Sequence, residues 1–512
     1  MSFPWLTVIG AVPLVGAAAV LALPRSLAHR TREVAFGFSM FSLILVIAMA
    51  TQFERNSSTQ FQFAEVHEWI PRFGVSYALG VDGIGLVLIA LAAVLTPVCL
   101  LAAWNDVPEI GGRQQTYYAL MLVLQTMMVG VFAATDVFLF YVFFEAMLIP
   151  VYFLIGSYGG SQRQYAAVKF LLYSLAGGLL MLVAVIAVYF AGPKGDQGFL
   201  LTNLLGHLHF SETSGRLMFL GFFVAFAIKA PMVPVHTWLP DAAAEAQPAT
   251  SVLLVGVLDK VGTFGMIRLC LPLFPDAAKW ATPAIIVLAV ISILYGALLA
   301  IGQTDIMRLI AYTSVSHFGF IVMGIFAMTS SAQNGATLYM VNHGFSTAAM
   351  FLVAAMLTSR RGSRRIADFG GWQRVTPLVA GTFLVAGLSS LSLPGLSSFV
   401  SEFLVLLGTY SRYQVAAVFA IAGIVLAALY ILYMYQRMMT GPMPEALDGT
   451  PDMQRREAWV VAPLLAVIVF LGLFPKPVLD VISPAVTRTM HQVGVTDPKP
   501  THPSPAAEGT SK

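Results

Sequence analysis

Apolar segments of about 20 residues recur along the chain and alternate with short polar loops. A helix that crosses the hydrocarbon core of a bilayer needs about 20 predominantly apolar residues, so each segment is a candidate membrane span. The pattern predicts fourteen spans, at residues 3–24, 34–52, 80–103, 115–134, 136–156, 166–190, 216–230, 250–272, 282–302, 306–328, 335–358, 376–410, 413–437 and 457–475. We therefore predict an all-α polytopic membrane protein with both termini on one side.

The seventh predicted span is broken beside a charge. Its sequence, FFVAFAIKAPMVPVHTWLPD at 222–241, places Lys229 at the end of an apolar run. Pro231 and Pro234 then remove two backbone donors, which leaves the carbonyl four residues before each proline without its helical partner. Because unpaired backbone groups and charges are costly in hydrocarbon, such a break is tolerated only inside protein or beside water. We therefore expect a functional site here.

The twelfth predicted span, which contains LSSLSLPGLSSFVSEFLVL, is broken as well. Pro394 and Gly395 interrupt it, Glu402 follows, and serines stand at positions 389, 390, 392, 397, 398 and 401. An offset of five spans from the seventh reverses the direction of crossing, so the two broken helices predict repeats related by inversion. Inverted repeats with discontinuous helices are typical of transporter folds.

The loops offer few candidates for chemistry. Residues 53–79 and 191–215 form long loops. His207 and His209 in the second are candidate metal ligands or, more simply, surface histidines. Near the end of the chain, PVLDVISPAVTRTMHQV predicts an amphipathic helix on the outer surface. Residues 496–512 are polar and rich in proline, which predicts disorder.

Basic residues predict the orientation of the spans. Loops on one side carry the arginines at Arg25, Arg30, Arg32, Arg113, Arg163, Arg308, Arg360, Arg361, Arg364, Arg365, Arg374, Arg437, Arg455 and Arg456. Loops on the other side, with the C-terminal tail omitted, carry only Arg55, Arg72, Lys194, Arg216, Lys279 and Arg412. Because basic loops stay on the inner side, this asymmetry places both termini outside. The first apolar segment precedes its basic residues, unlike a cleavable signal peptide, so we interpret it as the first span.

Composition agrees with a membrane protein and excludes several kinds of chemistry. The 512 residues are 58% hydrophobic and 10% charged, whereas soluble domains carry about 25% charged residues. Cys99 and Cys270 lie in apolar segments without a CxxC or Cys/His spacing, so we predict no iron-sulfur or zinc site. No GxGxxG or Walker sequence is present, so we expect no nucleotide chemistry in this chain. The net charge of +3, without a basic run, does not indicate nucleic-acid binding.

Glu145 lies in the middle of a span, in FYVFFEAMLIPVYFLIG, and Pro150 frees the carbonyl of Ala146 beside it. A buried carboxylate in lipid costs several kcal/mol unless it has a cation or a proton. Lys229 is its natural partner, and making or breaking that pair would switch the proton affinity of both groups. A purely structural ion pair is the alternative.

Lys260 lies within the eighth span, in SVLLVGVLDKVGTFGMIRL, too far from either end to extend to water. Lysine suits a proton relay because desolvation disfavours its charged form, and the alternative is a satisfied buried cation. Asp259 precedes it, but successive side chains on a helix diverge by about 100°, so adjacency does not predict a pair. Arg268, at the outer end of this span, is interpreted as an interface anchor.

Two histidines and a second carboxylate extend the series. His317 and His343 each share a helical face with hydroxyl side chains, in RLIAYTSVSHFGFIVMG and YMVNHGFSTAAMF. Histidine exchanges protons near neutral pH, although a hydrogen-bonded packing role is equally open for each. Glu402 stands beside the broken, serine-lined helix, where water can exchange protons with it, and its alternative is a structural carboxylate. Together these groups predict a pathway for protons or small cations rather than a site for an organic substrate.

Five segments carry a resemblance to a known family. They are FFEAMLIPVYFLIG, FAIKAPMVPVHTWLPDAAAEAQPATSVLLVGVLDKVGTFGMIR, DIMRLIAYTSVSHFGF, VNHGFSTAAMF and LPGLSSFVSEF, in this order between about residues 115 and 437. The chain resembles the antiporter-like membrane subunits of proton-pumping NADH:quinone oxidoreductase, respiratory complex I. Within that family it is most similar to the chain M type, called subunit four in mitochondria, since the sister subunits usually carry lysine where Glu402 stands.

The resemblance implies an organisation around two inverted five-helix repeats. Helices 1–3 would occupy residues 1–114, helices 4–8 residues 115–272, helices 9–13 residues 273–437, helix 14 residues 438–475, and a surface helix with a disordered tail residues 476–512. It also implies one proton path per subunit. Its parts would be a modulating pair, a central relay, a polar link and a group that discharges outside, namely Glu145 with Lys229, Lys260, His317 with His343, and Glu402. Asp259 departs from the usual apolar residue before the central lysine.

The resemblance further implies a subunit without a cofactor or metal of its own. FMN, iron-sulfur clusters and quinone would belong to partner subunits, whose NADH oxidation and quinone reduction would drive protons from cytoplasm to periplasm. The chain would lie in a bacterial cytoplasmic membrane beside two sister antiporter-like subunits. A subunit of a multisubunit sodium/proton antiporter or of a membrane-bound hydrogenase shares these motifs, and a non-conducting membrane scaffold is the structural alternative.

Overall fold

The structure, a computed structural model, describes residues 3–107, 112–442 and 449–499. Its helices are α1 (Trp5–Ala22), α2 (Thr31–Thr51), α3 (Gly83–Ala102), α4 (Arg113–Ala133), α5 (Val137–Ala146), α6 (Leu148–Tyr158), α7 (Arg163–Ala191), α8 (Leu201–Leu204), α9 (Glu212–Lys229), α10 (Trp238–Glu245), α11 (Pro248–Leu253), α12 (Lys260–Gly265), α13 (Leu271–Leu273), α14 (Pro275–Ile301), α15 (Ile306–Phe326), α16 (Ser330–Arg361), α17 (Trp372–Val375), α18 (Pro377–Ser390), α19 (Ser397–Tyr410), α20 (Gln414–Met439), α21 (Arg455–Leu473) and α22 (Lys476–Val493). Two strands, β1 (Gln62–Ile70) and β2 (Val75–Val81), precede α3. π-Helical turns occupy Leu254–Leu258 and Met266–Cys270, and 3₁₀ turns occupy Arg25–Arg30, Pro71–Phe73, Ala103–Asn105 and Ile366–Asp368.

Most of the predicted spans appear as single long helices. Among the described residues, eleven helical segments are long and apolar enough to cross a membrane, with α5 and α6 together forming one of them. The remaining three predicted spans are assembled from shorter pieces: α9 with α10, α11 to α13, and α18 with α19. The predicted all-α polytopic class is confirmed.

The helices break close to the prolines from which the sequence predicted breaks. α9 ends at Lys229, and the carbonyl of Ala227, freed by proline, accepts a hydrogen bond from the amide of Met232 at 2.9 Å. The next carbonyl, on Ile228, accepts from Nε1 of Trp238 at 2.9 Å. The fifth and twelfth predicted spans are likewise broken, between α5 and α6 and between α18 and α19. The chain thus supplies its own partners for the backbone groups at the break beside the lysine.

The loop predicted over 53–79 is largely a β-hairpin. β1 and β2 pair antiparallel, with Gln62 opposite Val81. β2 is almost fully buried, and the third span begins at Gly83 instead of residue 80. The prediction was wrong because the apolar sequence of β2 runs directly into that of α3, so hydropathy alone does not separate a buried strand from the start of a span.

The eighth span is a helix interrupted by two π-helical turns, where the sequence predicts one regular helix. Lys260 is the first residue of α12, directly after the turn Leu254–Leu258. A π-turn carries an extra residue, changes the direction of side chains on either side, and is frequent at functional sites. Propensity and periodicity do not reveal such turns.

Arg268, interpreted as an interface anchor, is instead a buried ion pair. It is 7% exposed, and its guanidinium donates to both carboxylate oxygens of Asp82 at 2.7 and 2.8 Å. The rings of Phe61 and Phe264 flank the guanidinium, each 4.9 Å from its carbon. The interpretation was wrong because the β-hairpin segment covers this end of the span, which the sequence does not show.

Contacts of α1 and α22 with the β-hairpin region bring the two ends of the chain to one face. The carboxylate of Glu65 in β1 accepts from the amide of Leu6 at 2.8 Å. Arg488 of α22 donates to the carbonyl of Thr59, beside the same hairpin, at 2.7 Å. An even number of spans requires this arrangement. Which face lies outside the membrane stays a prediction from the basic loops.

The C-terminal surface helix is present as α22, which packs against α3 and α16. The predicted disordered tail falls mainly on residues 500–512, which lie outside the described residues. The predicted loop 191–215 contains the short helix α8. The domain boundaries and the inverted relation of the two repeats stay predictions.

Candidate functional site

Glu145 lies in the last turn of α5, immediately before the break. Its Oε1 is buried and has no hydrogen-bond partner within the described parts of the chain. The carboxylate packs against Gly178 of α7, where an added Cβ would stand 1.7 Å from Oε1. Glycine at this position therefore makes the space that the carboxylate occupies.

Lys229 is the last residue of α9 and is fully buried. Its Nζ has no hydrogen-bond partner among the residues that the structure covers, and it lies 5.2 Å from the ring centre of Phe144 and 5.5 Å from that of Phe170. Aromatic faces attract a cation, and the C-terminal end of a helix adds a partial negative charge. Both contributions support a positive charge without fixing it in a strong pair.

The predicted pair of Glu145 and Lys229 is not in direct contact. Both residues are described, yet no N···O distance between them falls within 4.0 Å, and neither Oε1 of Glu145 nor Nζ of Lys229 has a hydrogen-bond partner among the described residues. They act on each other electrostatically through space. Phe144, which precedes Glu145 on α5, has its ring 5.2 Å from Nζ of Lys229. The structure therefore shows this pair in an open arrangement.

Lys260 is buried with no exposed surface. Its Nζ donates to the carbonyl of Val255, inside the preceding π-turn, at 2.6 Å and lies 2.7 Å from Nδ1 of His343. The ring of Phe318 stands 5.2 Å from the ammonium. The π-turn thus supplies the carbonyl that orients the lysine towards α16.

His343 also contacts α15. Its Nε2 lies 3.2 Å from Oγ of Ser314. When a protonated Lys260 donates to Nδ1, the ring proton of a neutral His343 resides on Nε2 and is donated to the serine. The ring of His317, one helical turn beyond that serine, lies edge-on to the His343 ring with centroids 5.3 Å apart. The two predicted histidines are therefore neighbours.

Glu402 terminates this series beside the break between α18 and α19. It is 4% exposed, and its Oε2 accepts from the hydroxyl of Tyr339 at 3.0 Å and from the hydroxyl of Ser392 by a short hydrogen bond. The Tyr339 ring lies 5.9 Å from the His317 ring. Tyr430 reaches the same histidine, with its hydroxyl 3.5 Å from Nε2. Tyr339 thus connects His317 to the carboxylate, and Tyr430 is a second hydroxyl beside the same histidine.

Four of the six predicted site residues therefore form one chain of neighbours, and the other two lie in the preceding helices. The sequence prediction missed Tyr339, Tyr430 and the role of Ser392. Tyr339 stands four residues before His343 on α16, so it shares that helical face and was detectable from spacing. Tyr430 comes from a helix that no local pattern relates to the others.

A cluster of ion pairs at the arginine-rich ends of the helices was also not predicted. Asp241 of α10 accepts from Lys169 of α7 at 2.6 Å and pairs with Arg308 of α15 at 2.7 Å. Nearby, Arg364 pairs with Glu245 of α10 at 3.0 Å and with Asp305 at 3.3 Å. These contacts join the predicted first and second repeats.

The described residues contain no group of three or more histidine, cysteine and acidic side chains placed to hold a metal ion. This applies to His207 and His209, which were candidate metal ligands.

Comparison with known proteins decides the family. A family model described as NADH:quinone oxidoreductase/Mrp antiporter, TM, matches residues 134–428. NADH-quinone oxidoreductase subunit M of Mycobacterium tuberculosis is 50% identical over 98% of this chain and 97% of that protein. The chain belongs to the NADH:quinone oxidoreductase subunit M family. The predicted resemblance is thereby confirmed.

Solved structures agree with the subunit M fold. A chain of the respiratory complex I from Thermus thermophilus with bound NADH matches with a TM-score of 0.86 at 30% identity, covering 96% of this chain and 100% of that chain. A chain of the Mrp complex from Dietzia sp. DQ12-45-1b matches with a TM-score of 0.84 at 22% identity, covering 96% of this chain and 100% of that chain. The second likeness concerns the fold alone.

Proposed function

We propose that the chain carries protons along one buried route, from Lys229 through Lys260, His343 and His317 to Glu402. As a member of the subunit M family, it is a proton-translocating subunit of the membrane arm of NADH:quinone oxidoreductase, and the route is its share of the pumping. The observation that carries the proposal is the run of close contacts from Lys260 to Glu402, all within buried helices.

The route has the chemistry of a relay. Every group in it can take up or release a proton, and every group is more than nine-tenths removed from solvent. Where two rings face each other without a hydrogen bond, a ring rotation or a bridging water completes the transfer. A structural network would instead keep each donor on a fixed acceptor, whereas Nζ of Lys229 has none among the described residues.

The open pair of Glu145 and Lys229 is the proposed switch. Moving one positive charge outward against the membrane potential costs about 2.3 kcal/mol per 100 mV, so a passive route would run backwards. Closing the pair would hold a proton on Lys229, and opening it would favour release towards Lys260. Charge rearrangement in neighbouring subunits, driven by their redox chemistry, would bias the pair between these two states.

The orientation follows from the basic loops. With the arginine-rich loops in the cytoplasm of a bacterial cell, both termini lie in the periplasm and protons move from cytoplasm to periplasm, with Glu402 as the last buried group. Two sister antiporter-like subunits are the proposed neighbours in the membrane arm. FMN, iron-sulfur clusters and quinone would be held by partner subunits.

Two other functions compete with this proposal. A subunit of a sodium/proton antiporter is one alternative, and a chain of the Mrp complex has the same fold, but the 50% identity to a subunit M over nearly the whole chain favours the oxidoreductase. A non-conducting scaffold explains the buried contacts but gives no reason for two buried lysines, since an apolar residue of similar size is often at least as stabilising as a buried charge.

The test measures proton pumping by the assembled complex in liposomes. This chain carries either Glu145→Ala or Lys229→Ala. We expect normal assembly, lost proton pumping and depressed quinone reductase activity. A scaffold requires that both variants pump normally. Normal pumping by both, in a normally assembled complex, would overturn the proposed route.

A further inference from the structure

Asp259 is a buried carboxylate to which the proposed route gives no role. It has no exposed surface, and neither of its oxygens has a hydrogen-bond partner among the described residues. A buried carboxylate without hydrogen bonds is costly, and an adjacent positive charge or a proton must compensate it. Asp82 is also a buried carboxylate, but two hydrogen bonds from Arg268 hold it in place.

The helix that carries Asp259 packs closely on the end of α9. A Cβ added at Gly262 would stand 2.5 Å from the carbonyl of Phe226 and 2.7 Å from the amide of Ala230, and one at Gly265 would stand 2.4 Å from the Phe226 ring. Two glycines three residues apart thus allow α12 to touch the last turn of α9.

Asp259 stands three residues before the first of these glycines. Positions three apart share a helical face, so its side chain belongs to the face that α12 presents to α9. That face meets α9 at its C-terminal end, where Lys229 stands. The charges of Lys229 and Lys260 both act on Asp259.

We propose that Asp259 is a proton-carrying carboxyl that links Lys229 to Lys260. The inference rests on the proposed function and extends it by one residue. The carboxylate takes a proton from the Lys229 ammonium, which leaves a neutral amine and a carboxylic acid. It then gives that proton to the neutral amine of Lys260, and the carboxylate is restored. The proton count is unchanged by the pair of steps, and only its position moves.

The carboxylate also changes the charge that the core must hold. With both lysines protonated and Asp259 ionised, the three groups carry a single net positive charge rather than two. Two buried ammonium groups repel each other, so a carboxylate that acts on both lowers the cost of loading the second lysine. The free oxygens, with no fixed donors, leave the group able to exchange protons in either direction.

The test uses the full assembled complex in liposomes with Asp259→Asn, Asp259→Glu and, as a matched control, Asp82→Asn. We expect Asp259→Asn to lower proton pumping roughly tenfold or more, as loss of a proton-transfer group does, and Asp259→Glu to restore most of it. Asp82→Asn removes a buried carboxylate outside the route, so it lowers thermal stability while the number of protons pumped per NADH stays normal.

An infrared readout separates proton carrying from a fixed charge. Difference spectra triggered by NADH should contain a carboxylic acid C=O band that is absent in Asp259→Asn and displaced in Asp259→Glu. If Asp259→Asn does not assemble, the shift of the C=O band between the unaltered complex and Asp259→Glu alone decides whether Asp259 carries a proton. Normal pumping by Asp259→Asn overturns the inference, and so does a band that Asp259→Glu leaves unmoved. Failure of the whole route differs from both, because Lys229→Ala would then pump normally as well.

Discussion

Nζ of Lys260 lies 2.7 Å from Nδ1 of His343, a residue 83 positions further along the chain. The contact joins the predicted first repeat to the second, and both residues are buried. A lysine that donates to a histidine has an acceptor that can keep the proton and pass it on. In the proposed route, protons that leave the first half of the chain therefore pass from Lys260 to His343.

Tyr339 is expected to govern proton exchange at Glu402. Tyr339→Phe removes the hydroxyl that donates to Oε2 at 3.0 Å. Because a hydrogen bond to a charged group contributes about 1.5–3 kcal/mol, pumping by the assembled complex should fall roughly tenfold or more. Tyr117→Phe is the matched control, since this tyrosine is equally buried and its hydroxyl bonds to Thr250 outside the route. Equal pumping by the two variants would show that the Tyr339 hydroxyl has no role in proton exchange at Glu402.

Gly178 is expected to be needed for proton pumping because the Glu145 carboxylate occupies the space beside it. Gly178→Ala places a Cβ 1.7 Å from the present position of Oε1, so the carboxylate must move. We expect proton pumping to fall severalfold at normal assembly, measured as protons pumped per NADH oxidised. Gly37→Ala is the control, because a Cβ at that position in α2 meets nothing within 4 Å. A Gly178→Ala complex that pumps as well as the Gly37→Ala complex would show that the position of Glu145 is not critical.

Arg268 is expected to affect stability rather than pumping. Arg268→Ala leaves the buried Asp82 carboxylate unpaired, which typically costs about 3–5 kcal/mol. Thermal unfolding of the complex should therefore begin at a markedly lower temperature, and a second change, Asp82→Ala, should recover part of the loss. Arg72→Ala, at an exposed arginine, gives the reference for a surface position. The buried-pair explanation fails if both arginine variants unfold alike.

The sequence predicts the spans and their breaks well, because both depend on local properties. Apolar length decides whether a segment crosses the membrane, and Pro231 and Pro394 remove backbone donors wherever they stand in a helix. The same reasoning does not reveal the π-turn before Lys260, since widening a helix by one residue leaves no signature in hydropathy. Nor does it separate the buried strand β2 from the span that follows.

The candidate site is predictable as a set of residues but not as a pathway. Buried charges stand out in an apolar sequence, which is why Glu145, Lys260 and Glu402 were identified. Their contacts depend on how helices rotate and pack against one another, which no single helix encodes. That packing joins Lys260 to His343 and leaves Glu145 apart from its predicted partner.

The most direct test of the central claim is the number of protons pumped per NADH oxidised by an assembled complex carrying Lys260→Arg. Arginine keeps a positive charge and its donors but does not release a proton at physiological pH. We predict normal assembly with proton pumping by the complex lost, as for Lys229→Ala. A ratio equal to that of the unaltered complex would show that protons do not pass through Lys260 and would contradict the account.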